Sequence, residues 1–263
     1  MSAAVINGGL VHYEAFGRGN PPILFIHGWL GSWRYWMQTM ESLAVDNRVY
    51  AVDLWGFGDS DKSERRFSLD QQTNLVDGFI RELGLDSPII VGHALGAVVA
   101  IDYAAIQGVP VNKVMAVSLP LSADTIDRRL SGYSQSSLLS KMLRWKPIPN
   151  KEIEEEAARA ADKVIAVTLE SFASHNDALD KLKRLNCTVL IVFGERDEVI
   201  DATPVQKLNN SLNHIRHITL PDAKHFPMVD DGPKFNRLLK DFVDPNNTLD
   251  DLDLKDEWRR RTR

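Results

Sequence analysis

The chain has 263 residues, 31 of them Lys or Arg against 36 Asp or Glu, for a formal net charge of -5, and 44% of it is hydrophobic. That supports a large core in one domain with an insertion, while the acidic balance disfavours a nucleic-acid or anionic-membrane surface, both of which reward clustered cations. A lone Cys187 rules out an internal disulfide, no apolar run is long enough to span a bilayer, and Met1-Ser2-Ala3-Ala4-Val5 lacks a leader pattern; the expectation is a cytoplasmic protein whose partner is a small molecule.

Taken in order, the apolar-rich stretches 3–6 and 10–15 flank Asn7-Gly8-Gly9, which predicts an opening β-hairpin because these residues tolerate positive φ. Pro22-Ile23-Leu24-Phe25-Ile26 is a continuous apolar run of the kind buried on both faces of a sheet, and it ends in His27-Gly28-Trp29-Leu30-Gly31. Trp33 and Trp36 lie on a short helical segment, Arg48 to Val52 is the next strand, and a glycine-punctuated loop follows from Asp53 to Ser60. Asp53 is expected to order that loop by accepting backbone N–H bonds. Ser68-Leu69-Asp70-Gln71 has the form of a capping box and opens a helix whose apolar face is Val76, Phe79, Ile80 and Leu83, ending at Gly84. Ile89 to His93 then feeds a Gly-x-x-x-Gly turn into a helix marked by Leu95, Val98, Val99 and Tyr103.

Lys113 to Leu119, Thr188 to Phe193 and Arg216 to Leu220 read as further buried strands. Strands alternating with helix-length crossovers imply a doubly wound, mostly parallel α/β sheet with right-handed connections. Between 121 and 182 the texture turns polar and helical without strand runs, so the expectation is a core of 1–120 and 183–243, a helical cap at 121–182, and a weakly docked tail at 244–263. The run Glu154-Glu155-Glu156 reads as a solvated helix face, and Thr203-Pro204 as a helix start with a capping hydroxyl.

The turn Gly92-His93-Ala94-Leu95-Gly96 resembles the nucleophile elbow of the α/β-hydrolase superfamily, with Ala94 where the nucleophilic serine stands, and the Asp53 to Ser60 loop resembles the Asp-x-x-Gly-x-Gly-x-Ser loop of its epoxide-hydrolase-like and haloperoxidase-like branch. Glycines at both ends are what a strained central residue requires. The resemblance implies that His27-Gly28-Trp29-Leu30-Gly31 is the oxyanion loop, that the amides of Trp29 and Leu95 form the oxyanion hole, and that His27, Gly28 and His93 stand by the substrate. It maps the acid to Asp197 in Gly194-Glu195-Arg196-Asp197 and the base to His225 in Asp222-Ala223-Lys224-His225-Phe226, where Lys224 replaces the family's glycine. Asp124 is the alternative acid. His214 and His217 lack companions in a metal-ligand spacing, so neither a metal nor another cofactor is inferred.

Ala94 closes the covalent acyl-enzyme route. Three readings follow. The chain is a hydrolase of an ester-, amide- or similar bond, either a substituted form of a serine enzyme or one in which His225 activates water directly; members resembling aminoacrylate hydrolases carry alanine in the same Gly-His-Ala-Leu-Gly setting. It is instead a ligand-binding protein on a hydrolase scaffold, or a lyase or cofactor-free oxygenase on the same fold. Trp29, Trp33, Trp36 and Trp55, on or beside the strand-end loops, suggest an apolar pocket.

Overall fold

The computed structural model describes residues 2–106, 108–127, 151–175, 177–208 and 212–252. Eight strands form one sheet: β1 (Ser2–Ile6), β2 (Gly9–Phe16), β3 (Ile23–Ile26), β4 (Val49–Val52), β5 (Ile89–His93), β6 (Lys113–Val117), β7 (Thr188–Gly194) and β8 (Ile215–Leu220). Their order is β1-β2-β4-β3-β5-β6-β7-β8, antiparallel through β1, β2 and β4 and parallel from β4 onward. The opening hairpin therefore adds a two-stranded edge to a parallel core. Every residue of β3 and β5 is buried, as their unbroken apolar runs require when helices cover both faces.

The core helices are α1 (Met37–Leu43), α2 (Leu69–Glu82) and α3 (Leu95–Ala104). α2 buries the stripe Leu69, Thr73, Val76, Phe79 and Ile80, and Ser68 Oγ accepts from Gln71 N at its start. α3 is apolar nearly all round because it lies between the sheet and its helical neighbours; eight of its residues are buried.

Between β6 and β7 the described residues hold α4 (Lys151–Ala158), α5 (Val164–Ser174) and α6 (Ala178–Arg184), none of which joins the sheet. Part of the expected insertion, 128–150, lies outside the described residues. α6 spans the expected boundary at 182; it packs against α3 and sets Lys181 Nζ 2.8 Å from Asp102 Oδ1. After β7 come α7 (Thr203–Gln206), α8 (Pro227–Asp230) and α9 (Gly232–Val243). Thr203 is not the cap of α7; its N–H instead meets Asp201 Oδ1 at 2.9 Å, because the carboxylate two residues earlier reaches it first. The tail is better anchored than its composition suggested: Leu252 is buried, and Arg216 Nη1 donates to Leu249 O at 2.5 Å. Residues 253–263 lie outside the described set.

Glu156 corrects a second expectation. Glu154 and Glu155 face solvent, but Glu156 is buried and accepts from Arg34 Nη1 at 3.2 Å and Arg159 Nη1 at 2.9 Å. Asp59 completes the group by pairing with both arginines, so two core loops and α4 share one knot of alternating charge.

Candidate active site

The turn after β5 has the geometry its glycines foreshadow. Ala94 sits at φ 48°, ψ -108°, a region that costs a residue with a Cβ about 1–3 kcal/mol. A Cβ on Gly92 would strike the Gly96 carbonyl, and one on Gly96 the Ile26 carbonyl. Ala94 N donates to Val117 O at 2.9 Å, pinning the turn to β6. The first helical donors of α3 to find acceptors are Ala97 and Val98, both on Ala94 O. The N–H of Leu95 is thus one of the helix-terminal donors with no partner in the helix.

Asp197, just past β7, and His225, past β8, meet behind this turn. His225 Nδ1–H donates to Asp197 Oδ2 at 3.0 Å, which leaves Nε2 as the lone-pair nitrogen, and His225 lines the adjoining cavity. Asp197 Oδ1 accepts from Val199 N at 2.8 Å and Ile200 N at 3.1 Å, while Oδ2 also accepts from Ser118 Oγ at 2.8 Å. Burial alone would push this carboxyl up, but His225 and these donors together lower it to about 2. Asp124 is exposed on the 3-10 turn Ala123–Thr125.

A buried polar bridge joins the two loops that flank the turn. Gly28 N donates to Tyr35 Oη at 2.6 Å, Tyr35 O–H donates to His93 Nδ1 at 3.0 Å, and His93 Nε2–H donates to His225 O at 2.8 Å. Only one tautomer of His93 satisfies both ends. Burial, reinforced by the proximity of His225, drives its pKa well below the ordinary histidine value, so His93 stays neutral. His27 is fixed in the same way, with Nδ1–H on Gly28 O at 2.8 Å and Nε2 accepting from Leu54 N at 3.0 Å. His27 and Gly28 are absent from the residues that line the cavity, as are Ala94 and Leu95, and the polar atoms of His27 and Gly28 are engaged within the protein. His93 does line it, with its ring nitrogens already engaged.

The cavity encloses about 30 Å³, room for on the order of two waters. Beside His93 and His225, its described walls are apolar: Trp29 and Leu30 from the loop after β3, Ile165 and Leu169 from α5, and Ile126, Val199, Ile200 and Phe226. Of the four tryptophans expected there, Trp29 alone is a wall; Trp36 and Trp55 are core residues. Among the described residues no acceptor takes the Trp29 amide N–H, whereas its indole Nε1–H reaches Thr168 Oγ1 on α5 at 2.8 Å.

Tyr35, Ser118 and Thr168 carry no local sequence signal, since each acts through a partner dozens of residues away. Among the described residues His12, Asp53 and Asp59 form the cluster with metal-ligand atoms closest together. Asp53 accepts from His12 Nδ1 at 2.9 Å, Trp33 N at 2.8 Å and Asp59 N at 3.0 Å, while Asp59 pairs with Arg34 and Arg159. Asp53 thereby orders its loop by accepting backbone N–H groups. No helix among the described residues is long and apolar enough to cross a membrane.

The chain belongs to the alpha/beta hydrolase family, whose model matches residues 23–238. It is similar to the dihydrolipoyllysine-residue acetyltransferase component of the acetoin cleaving system of Pseudomonas putida, 24% identical over 257 residues, covering 88% of this chain but only 65% of that protein's length. It is also similar to the putative carbamate hydrolase RutD of Escherichia coli O103:H2 (strain 12009 / EHEC), 25% identical over 241 residues, covering 83% and 90% of the two chains. The solved enol-lactonase from Burkholderia xenovorans LB400 superposes with a TM-score of 0.79 at 19% identity, covering 92% of this chain and 99% of that one, a likeness of fold.

Proposed function

We propose that the chain is a hydrolase of small, largely apolar ester-, amide- or carbamate-like substrates in which His225, oriented by Asp197, activates water directly in the space beside Ala94. The observation that carries this reading is the pairing of His225 Nδ1 with Asp197 Oδ2 at 3.0 Å in a histidine that lines the cavity. Neutral His225 would take a proton from water as it attacks the substrate carbonyl, the imidazolium so formed would face the Asp197 carboxylate, and as the adduct collapses and the C–O or C–N bond breaks it would give that proton to the departing oxygen or nitrogen. The Trp29 and Leu95 amides would hold the developing oxyanion. On this reading the elbow strain at Ala94 serves to aim the Leu95 N–H and the N-terminus of α3 rather than to display a nucleophile. Within the stretch 121–182, α4 and α5 would belong to the cap, with α5 closing the apolar end of the pocket. The likeness to RutD favours carbamates within this substrate class.

Two substitutions test the reading, assayed on a panel of small carbamates, amides and activated aryl esters. His225→Ala should lower turnover by about 10²–10⁴-fold, the usual worth of a general base. Ala94→Ser should leave the native reaction unchanged or slower, since the hydroxyl takes the water's place. A gain of several orders of magnitude with Ala94→Ser, accompanied by labelling with an active-site phosphonate, would instead identify a substituted serine enzyme. Turnover that survives His225→Ala, or none by any form, would refute the proposal.

A further inference from the structure

We infer that Ser118 is a positioning residue for the Asp197–His225 pair, its hydroxyl fixing the shared carboxylate oxygen and tempering how strongly that oxygen holds the imidazolium. This rests on the role proposed for His225. Ser118 follows β6 directly and is wholly buried, so its hydroxyl must find its partners within the protein. Two acceptors are in reach, Asp197 Oδ2 at 2.8 Å and His225 O at 3.3 Å. The single proton goes to the nearer and charged one.

The backbone supports a specific placement. Ser118 has φ 48°, one of six described non-glycine residues with positive φ, and its N–H is anchored on Val192 O of β7 at 2.8 Å. Such a conformation persists only where the surroundings over-determine it, and strain of this kind concentrates at functional sites. Ser118 and Ala94 thus end adjacent parallel strands in the same left-handed sense, one bending beneath the substrate space and the other beneath the acid.

The chemical consequence has a sign. Asp197 Oδ2 accepts both Ser118 Oγ–H and His225 Nδ1–H, so the serine proton draws charge from the oxygen that must stabilise the imidazolium. Removing the hydroxyl makes the carboxylate more basic and the imidazolium easier to form, so His225 becomes a free base only at higher pH. The other groups facing the pair are neutral His93, whose ring centroid lies 4.8 Å from that of His225, Asp230 with Lys224 on the His225 loop, and the Val199 and Ile200 amides on Oδ1. None of these changes when Ser118 is replaced.

The test is a titration of the His225 ring by NMR in histidine-labelled protein, compared with Ser118→Ala and Ser118→Gly. The glycine variant accommodates the positive φ, so a folded protein without the hydroxyl is available even if alanine is poorly tolerated. In either variant His225 should titrate about 0.5–1 pH unit higher, a three- to tenfold smaller free-base fraction on the acid side, and the acid limb of kcat should move equally with KM unchanged. An unmoved titration in both variants would overturn the inference even if His225→Ala abolishes turnover. A shifted titration in a protein whose turnover ignores His225→Ala would uphold the positioning role and refute the catalytic reading instead.

Discussion

Trp29 and Thr168, 139 residues apart, share a buried hydrogen bond: the indole Nε1–H donates to Oγ1 at 2.8 Å. The threonine also donates back to Val164 O at 2.7 Å, so α5 and the loop after β3 are held by one satisfied hydroxyl. Thr168→Val removes the acceptor and strands a buried N–H, at a cost of about 1–3 kcal/mol. Urea unfolding should show that loss for Thr168→Val and recover most of it in Thr168→Ser.

Tyr35 supports two groups with one oxygen. Tyr35→Phe leaves both Gly28 N–H and His93 Nδ1 without their partner, each an unsatisfied buried group costing about 1–3 kcal/mol. The loop carrying the Trp29 amide should loosen with it. Stability should fall, and, if the Trp29 amide has the oxyanion role proposed for it, kcat should fall more than KM rises. A variant with wild-type stability and kcat would show the bridge to be dispensable.

The charge knot of Arg34, Asp59, Glu156 and Arg159 fastens α4 to the core. Glu156→Gln leaves two arginines facing one carboxylate, and the partly exposed members are screened as salt rises. Limited proteolysis between α4 and α5 should be several-fold faster in Glu156→Gln, and in the unaltered protein faster at high salt than at low. Equal cleavage rates throughout would count against the knot as the fastening.

Acid should destabilise the fold in two stages. His93 has a folded pKa below 6.5, so the unfolded chain binds the extra proton; this contribution is complete above pH 6.5 and is lost as pH falls below it. Asp197 has a folded value of about 2 against 3.8, so its contribution is present above 3.8 and is lost as pH falls through about 2. Its size is on the order of 2 kcal/mol. His12 has the opposite sign: raised chiefly by its bond to Asp53, it contributes below 6.5 and loses that contribution as pH rises through its folded value. Urea midpoints from pH 8 to pH 2 should decline in both acid stages, and Asp197→Asn should remove the lower one.

What could be read from the chain depended on the range of the interaction. The strands were visible because burial on both faces leaves unbroken runs such as Ile23 to Ile26, and the turn at Ala94 because backbone crowding excludes any side chain at Gly92 and Gly96. Asp197 and His225 stood out only through their motif settings and order. Glu156 looked like its neighbours in a charge run, and nothing local marks the residue that meets Arg34 across 122 positions. Ser118 was equally silent, since the partner that gives its hydroxyl a purpose lies 79 residues on. Nor does the motif around His27 reveal that its ring nitrogens are consumed by Gly28 and Leu54.

The left-handed backbone at Ala94 also has a bearing on heredity. Alanine and serine codons of the GCN and TCN sets differ in one base, and the turn that would present a hydroxyl is already bent at φ 48°, ψ -108°. A single base change would therefore set a hydroxyl on a backbone that already has this bend. The same socket makes the protein a ready scaffold for laboratory evolution, where residue 94 can be varied while the fold around it stays constant.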